Sequence, residues 1–443
     1  MCGFGVSNIS GLGNVNLKCR NRGPDLTNIR TINGIEFLHN LLHITGTLTP
    51  QPFYKNDIAM VFNGEIYNYN DLGDYKSDGE SIIDAYLNNG DKFARNLDGE
   101  YAICLVDFKN DKLIISTDSF ACKPLWYEIK NDKFCVASYN SQLQGLGFEN
   151  GTKLYANTTL VFNLSNLKEI RRLENIEWSL YQRKSSYDDW IDAFKQSIQK
   201  RTKNTNYGMF LGLSSGYDSG AIACELHNQN ADFKAFSINN NENIDVLNER
   251  ISLLANAEIY NLQDNELQSC KQELRKNCEN FSYHDRFLSY DIKKDQASFG
   301  LASICIRARK EKRRIYFSGQ GADEILSDYG WNGNKIYKHS SFGGLFPKDL
   351  STIFPWHSFY DGTQIQYLNK EEYVAGHFGI ETRYPFLDKN LVQEFLWLNS
   401  NLKNKKYKNA LDEYLVANRF PYSSNEKLGF HVTAKGKNKG KVK

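Results

Sequence analysis

Up to about residue 175, apolar positions come in short runs at 57–62, 101–108, 112–116 and 134–138, separated by pairs such as Asn63-Gly64 and Asn110-Asp111. Short runs bounded by Asn, Asp and Gly predict a mainly antiparallel β region. The stretch 81–87 has helical spacing and predicts a helix inserted into it. Residues 177–187 are polar and unpatterned, and the helical run 190–203 opens a different rhythm of strand, polar loop and helix. Residues 208–213 lead into Ser214-Ser215-Gly216-Tyr217-Asp218-Ser219 and a helix at 221–226; the runs 233–238 and 313–317 repeat the arrangement, each ending in serine. Such alternation predicts a parallel sheet whose ligand crevice lies at the carboxyl ends of its strands, where all three serines fall.

A chain of 443 residues exceeds what one core usually organises. The expected domains are therefore 1–178 and 179–432, followed by a tail, 433–443, too rich in Lys, Gly and Asn to pack and expected to be disordered. Composition narrows the function classes. A net charge of +2 provides no field for nucleic acid, which leaves a small-molecule site. The nine cysteines show no CxxC pair and no Cys/His cluster at zinc spacing, so free thiols in a reducing cytosol are expected. With no run near eighteen apolar residues and no signal-peptide pattern at the start, the expectation is a cytoplasmic protein with no membrane segment.

The first chemical candidate is Cys2. Removal of the initiator methionine would leave a thiol beside a free α-amino group that can act as its base, a known way of activating a nucleophile. On its own such a cysteine is most often an incidental small hydrophobe. Four motifs downstream change the weighting: Arg22-Gly23-Pro24-Asp25, then Phe62-Asn63-Gly64-Glu65-Ile66-Tyr67-Asn68, Ser77-Asp78-Gly79-Glu80 and Leu97-Asp98-Gly99. Together they resemble the glutaminase domain of class II glutamine amidotransferases, in the asparagine synthetase branch. The resemblance implies that the Asn63 side chain and the Gly64 amide form the oxyanion hole, where well-placed donors are worth several kcal/mol. It also implies that Glu65 and Asp78 hold the α-amino group of glutamine. Outside that context Asn63-Gly64 reads as a hairpin turn, and the two acids as solvated charges.

The second half carries Ser214-Ser215-Gly216-Tyr217-Asp218-Ser219-Gly220, which resembles the pyrophosphate loop of ATP pyrophosphatases. Small residues at a helix start let backbone amides curl around phosphate oxygens, although the loop alone also reads as a serine-rich helix cap. Residues 318–324 and 379–388 resemble the second and third signatures of asparagine synthetases. Carried over by this resemblance, Leu213 and Ile238 flank the adenine; Ser214, Ser215, Gly216, Asp218, Ser219, Ser318 and Gly319 contact the nucleotide; Asp218 and Asp323 hold magnesium; and Lys427 neutralises charge during adenylation. Arg383 and Asp388 are expected to lock the fold by an internal ion pair and caps. The implied fold class is α/β and α+β: an N-terminal-nucleophile αββα sandwich followed by a Rossmann-like, PP-loop adenine nucleotide hydrolase domain.

The implied reaction activates a carboxylate as acyl-AMP with release of pyrophosphate, and ammonia from glutamine reaches it through an internal passage. ATP and Mg2+ are the expected co-substrate and cofactor; glutamine, a small carboxylate acceptor and at most a second copy of the chain are the expected partners. Three positions depart from the family. Leu41 stands where an arginine pairs with the glutamine α-carboxylate, which would cost roughly ten- to a hundredfold in affinity. Asn21 stands where histidine is usual. Gln320 replaces a glutamate, and loss of a general base costs roughly a hundred- to ten-thousandfold. Gln320 and a shorter C-terminal half tilt the expectation from aspartate toward a specialised carboxylate. The alternatives are a cyclase of the β-lactam synthetase kind and a regulatory protein with a decayed site.

Overall fold

The computed structural model describes residues 2–240, 242–286, 289–328 and 340–423. Lys427 and the tail 433–443 lie outside them.

The first domain is two six-stranded sheets face to face. One runs in the order Thr152–Lys153, Trp126–Lys130, Lys133–Ala137, Gly3–Ser7, Ile35–Leu41, Leu26–Ile32; the other in the order Glu169–Glu174, Thr158–Asn163, Lys112–Thr117, Gly99–Asp107, Ile58–Ile66, Phe53–Lys55. Every residue of Ile58–Ile66 is buried, because both of its faces are covered. Ala59 and Val61 enter the core between the sheets with Phe4, Val6 and Phe37. Met60 and Phe62, on the opposite face, pack under the helix Glu80–Asn89. The period of two thus sends alternate residues to two separate cores. On the outer face of the first sheet, Leu143 of the helix Asn140–Gly145 packs with Leu38 and Cys135. Helix, sheet, sheet, helix is the expected sandwich.

The sequence pattern misplaces one feature. Asn63-Gly64 does not separate two strands; it lies inside Ile58–Ile66, opposite Ala102 and Tyr101. Gly64 has φ 143°, and a Cβ there would sit 1.9 Å from the Glu100 carbonyl oxygen, so glycine permits the neighbouring strand to pass.

The second domain is built on a five-stranded parallel sheet in the order Ala257–Tyr260, Phe233–Ile238, Gly208–Gly212, Arg313–Phe317, Glu381–Arg383. Chain order reverses between Gly208–Gly212 and Arg313–Phe317, the switch point at which open α/β sheets place their ligand crevice. The two halves share buried polar contacts. Arg22 pairs with Glu372 at 2.8 Å, Lys123 with Glu372 at 3.0 Å, and Arg201 with Glu100 at 2.8 Å. Among the described residues no helix is long and apolar enough to cross a membrane.

Candidate active site

The first site collects around Cys2, which is buried and whose thiol lies 3.9 Å from the Leu42 carbonyl oxygen. Burial pushes the thiol up to about 11, and the carboxylates of Glu381 and Glu65 act in the same direction. The strand Gly3–Ser7 packs against Ile58–Ile66, which carries Asn63, Gly64 and Glu65. Both amide atoms of the Asn63 side chain are buried without a hydrogen-bond partner. Buried polar groups are normally satisfied, so this amide is a donor and an acceptor held ready for something outside the protein. Asp78 accepts a hydrogen bond from the Ile66 N–H at 2.9 Å. Burial pushes Asp78 up to about 6, and Glu65 is raised by burial and then by the charges of Glu381 and Asp78. The buried carboxylates of Glu65, Asp78 and Glu381 act on one another; Arg383 Nη2 is 3.6 Å from Glu65, and Arg383 and Lys123 both favour the charged form of Glu381.

Two groups here lie in motifs already named, Arg22 at the head of 22–25 and Glu381 within 379–388, but the sequence assigns them no role. Arg22 donates from Nε to the Cys2 carbonyl at 2.8 Å and from Nη2 to Glu372, so it ties the nucleophile's backbone to the second domain. Glu381 reaches the pocket from a strand of the second domain. The expected Arg383–Asp388 pair does not form. Arg383 bonds Glu381 at 2.8 Å, while Asp388 pairs with Lys200 and with Arg201 at 2.9 Å. Each acid takes the cation that the packing brings nearest. Leu41 is buried and apolar at the end of its strand.

The second site is at the switch point. Ser214, Ser215 and Gly216 connect the strand Gly208–Gly212 to the helix Tyr217–Asn228, which starts four residues before the predicted one and so draws Asp218 and Ser219 into its first turn. Ser214 is pinned from its N–H to Ser219 Oγ at 3.0 Å, and Arg250 donates to the Gly216 carbonyl at 3.0 Å from behind. The loop's free donors converge on an anion: Glu242 Oε2 accepts from the Ser215 N–H at 2.7 Å and from Ser215 Oγ at 2.6 Å. Two donors of one residue thus converge on one anionic oxygen, a geometry that can also take a phosphate oxygen. Leu213 and Ile238 are buried near the ends of neighbouring strands, where the Leu213 N–H bonds the Phe236 carbonyl at 2.8 Å, but their side chains pack into separate cores.

The loop after Arg313–Phe317 meets the first one. A Cβ on Gly319 would lie 2.9 Å from Asp218 Cβ, and Ser318 is fixed by its N–H to the Arg383 carbonyl at 3.0 Å. Asp323, in the helix Ala322–Leu326, and Asp218 share one cation, the buried ammonium of Lys408, which is 2.6 Å from Asp323 and also bonded to Asp218. Burial opposes the charge on Lys408, but the two carboxylates outweigh it and hold its pKa above the usual lysine range. Two carboxylates that converge on one ammonium could share a divalent ion. Among the described residues no third acid, histidine or cysteine joins them, so phosphate oxygens would complete a magnesium shell, the usual pattern for that ion. The structure thus brings the 214–219 loop together with Ser318, Gly319 and Asp323, and adds Lys408 and Glu242; Ile238 packs in a separate core from Leu213, and Lys427 lies outside the described residues.

A nucleophile-bearing αββα sandwich joined to a parallel sheet with a phosphate-type loop is the build of a carbon–nitrogen ligase that carries its own amidotransferase domain. Residues 1–186 match the glutamine amidotransferase domain family and residues 189–359 the asparagine synthase family. The chain is 26% identical over 417 residues to a Methanocaldococcus jannaschii protein named putative asparagine synthetase 1, covering 85% of this chain and 72% of the relative. It is 24% identical over 463 residues to the glutamine-hydrolysing asparagine synthetase of Gallus gallus, covering 92% and 78%, and 24% identical over 440 residues to asparagine synthetase 2 of Arabidopsis thaliana, covering 94% and 72%. The chain belongs to the asparagine synthetase family.

Proposed function

We propose that this protein is an ATP-dependent, glutamine-hydrolysing amidotransferase that converts a carboxylate to its amide through an acyl-adenylate. The observation that carries the proposal is the convergence of Asp218 and Asp323 on Lys408 beside a loop that already grips a carboxylate. In this reading Cys2 attacks the glutamine amide, Asn63 and Gly64 stabilise the oxyanion, and Glu65 and Asp78 hold the α-ammonium group. Ser214, Ser215, Gly216, Ser219, Ser318 and Gly319 bind the nucleotide between Leu213 and Ile238. Asp218 and Asp323 would hold magnesium, which when bound neutralises charge on the phosphates, with Lys408 beside it; the charge-neutralising role that the family resemblance gives Lys427 falls outside the described residues. The acceptor is a small carboxylic acid, with a specialised acid favoured over aspartate because Gln320 lacks the family's proton acceptor.

The test is AMP and pyrophosphate release from Mg-ATP and glutamine, with aspartate and other carboxylic acids as acceptors and mass spectrometry for the amide. Amide formation that disappears with glutamine but survives with ammonium in Cys2→Ala is the expected result. No AMP with any acid would refute the proposal, and asparagine as the sole product would fix aspartate as the acceptor.

A further inference from the structure

We propose that Arg250 is a positioning residue for nucleotide binding: by holding two carbonyl oxygens of the loop at Ser215 from behind, it turns the loop's N–H donors toward the phosphates. This role rests on reading residues 214–219 as the nucleotide loop, and it falls to a residue that acts through the backbone rather than on the ligand. Arg250 lies in the helix Ile244–Leu253 and is fully buried, at 0% exposure. Its Nη1 donates to the Ser214 carbonyl and, at 3.0 Å, to the Gly216 carbonyl; its Nε donates to the Pro421 carbonyl at 2.8 Å. Three carbonyls on two nitrogens fix the plane of the guanidinium, and the centre of the Phe420 ring lies 5.6 Å from its carbon.

In a planar trans peptide the C=O and the N–H of one unit point in opposite directions. The Ser214 oxygen and the Ser215 N–H belong to one such unit: the oxygen ends on Arg250, and the N–H, on the far side, ends on the Glu242 carboxylate at 2.7 Å. The Gly216 oxygen and the Tyr217 N–H belong to another. Anchoring that oxygen sends the first N–H of the helix Tyr217–Asn228 away from the guanidinium as well. Released from Arg250, either peptide could turn over and present a carbonyl oxygen to the anion in place of a donor. Gly220 makes room for the arrangement. It is buried within the same helix, and a Cβ there would lie 2.3 Å from Nη2 and 2.6 Å from Cζ of Arg250. Glycine costs a helix stability relative to alanine, and here the guanidinium accounts for it, because a side chain at 220 would take the volume that Arg250 fills.

Binding of Mg-ATP and of Mg-pyrophosphate would be measured by isothermal titration calorimetry for wild type, Arg250→Lys, Arg250→Ala, Gly220→Ala and the double variant Gly220→Ala/Arg250→Ala, with glutamine hydrolysis followed in the absence of nucleotide. The expected result is binding about tenfold or more weaker in both arginine variants, since one ammonium cannot span three carbonyls, with glutamine hydrolysis unchanged. Millimolar guanidinium chloride should bring Arg250→Ala back to within about threefold of wild type, and the same concentration of ammonium chloride should not. Gly220→Ala should weaken binding to a similar degree, whereas in the double variant the methyl group enters space that the guanidinium has left, and binding should be no weaker than in Arg250→Ala. An arginine variant that binds both ligands like wild type, a loss in Arg250→Ala that guanidinium does not restore, or losses that add in the double variant would overturn the role of Arg250 and leave the amidotransferase reading standing. Wild type that binds neither Mg-ATP nor Mg-pyrophosphate overturns the nucleotide reading of the loop before any variant is compared.

Discussion

Glu242 occupies the donors that the loop at Ser215 would present to ATP, so the nucleotide must displace it. Glu242→Gln keeps the size and the hydrogen-bonding capacity of the side chain but removes the charge. Two hydrogen bonds, at 2.7 and 2.6 Å, end on one carboxylate oxygen. A hydrogen bond to an ion is worth about 1.5–3 kcal/mol and a neutral one about 0.5–1.5, so neutralisation weakens the plug by about 2–3 kcal/mol at most. Burial already disfavours the charged form and raises this carboxyl, with the two Ser215 bonds pulling against it, which trims the figure to about 1–2 kcal/mol. Mg-ATP should then bind about 5- to 30-fold more tightly to Glu242→Gln than to wild type by isothermal titration calorimetry. Because protonation of Glu242 does what the substitution does, the advantage of the variant should shrink as pH falls. Equal or weaker binding by Glu242→Gln would mean that Glu242 braces the loop rather than competing for it, and the assignment of those donors to phosphate would fail.

Three other perturbations separate the two sites. Gly64→Ala brings a Cβ to 1.9 Å from the Glu100 oxygen and must push apart the strands that hold Asn63, so glutamine hydrolysis should fall about a hundredfold or more while ammonium-driven AMP release persists. Lys408→Met leaves Asp218 and Asp323 facing each other without their ammonium, and thermal unfolding should show a loss of about 3–5 kcal/mol that added Mg2+ partly restores. For Asp388, burial opposes ionisation, but Lys200 and Arg201 outweigh it and hold the carboxyl well below the usual range. A depressed pKa gives stability that is present above about pH 4 and is lost as pH falls below that, so Asp388→Asn should be less stable than wild type at pH 7 and converge with it in acid, as followed by urea unfolding.

Features that depend on neighbours in the chain could be read from the sequence. The strands Phe233–Ile238 and Arg313–Phe317 have the predicted bounds, because each is a short apolar run cut off by polar residues. The turn at 214–216 between strand and helix was legible because small and hydroxylic residues follow one another where a helix begins. Asn63-Gly64 was misplaced because the same pair is a strong hairpin signal; only the approach of the Glu100 carbonyl explains its glycine inside a strand. Lys408 and the partner of Arg22, a residue that itself opens a named motif, were invisible for another reason. Lys408 meets Asp218 across 190 residues and Arg22 meets Glu372 across 350, and no spacing in the chain encodes such pairs. Lys408 sits among other lysines whose default is a solvated surface.

The third signature, 379–388, contains the strand Glu381–Arg383; Arg383 and Asp388 looked like a fold lock, and the geometry of the strand gives it a second part. At its first residue Glu381 acts on the Cys2 thiol; at its last, the Arg383 carbonyl fixes Ser318 in the nucleotide loop at 3.0 Å. Between them the Thr382 carbonyl accepts from Lys123 at 2.6 Å, and Lys123 belongs to the first domain. One three-residue strand therefore acts on the Cys2 thiol through the charge of Glu381, meets the domain junction at Thr382 and fixes the Ser318 loop at Arg383. Parallel pairing, with Ile315 opposite Glu381 and Phe317 opposite Arg383, makes its register fixed with respect to the strand that presents Ser318. A shift of this strand could not stay local, since it would move a carboxylate in one pocket and a serine in the other together. Coupling between glutamine cleavage and nucleotide occupancy needs only a displacement of that segment, with no longer relay between the domains.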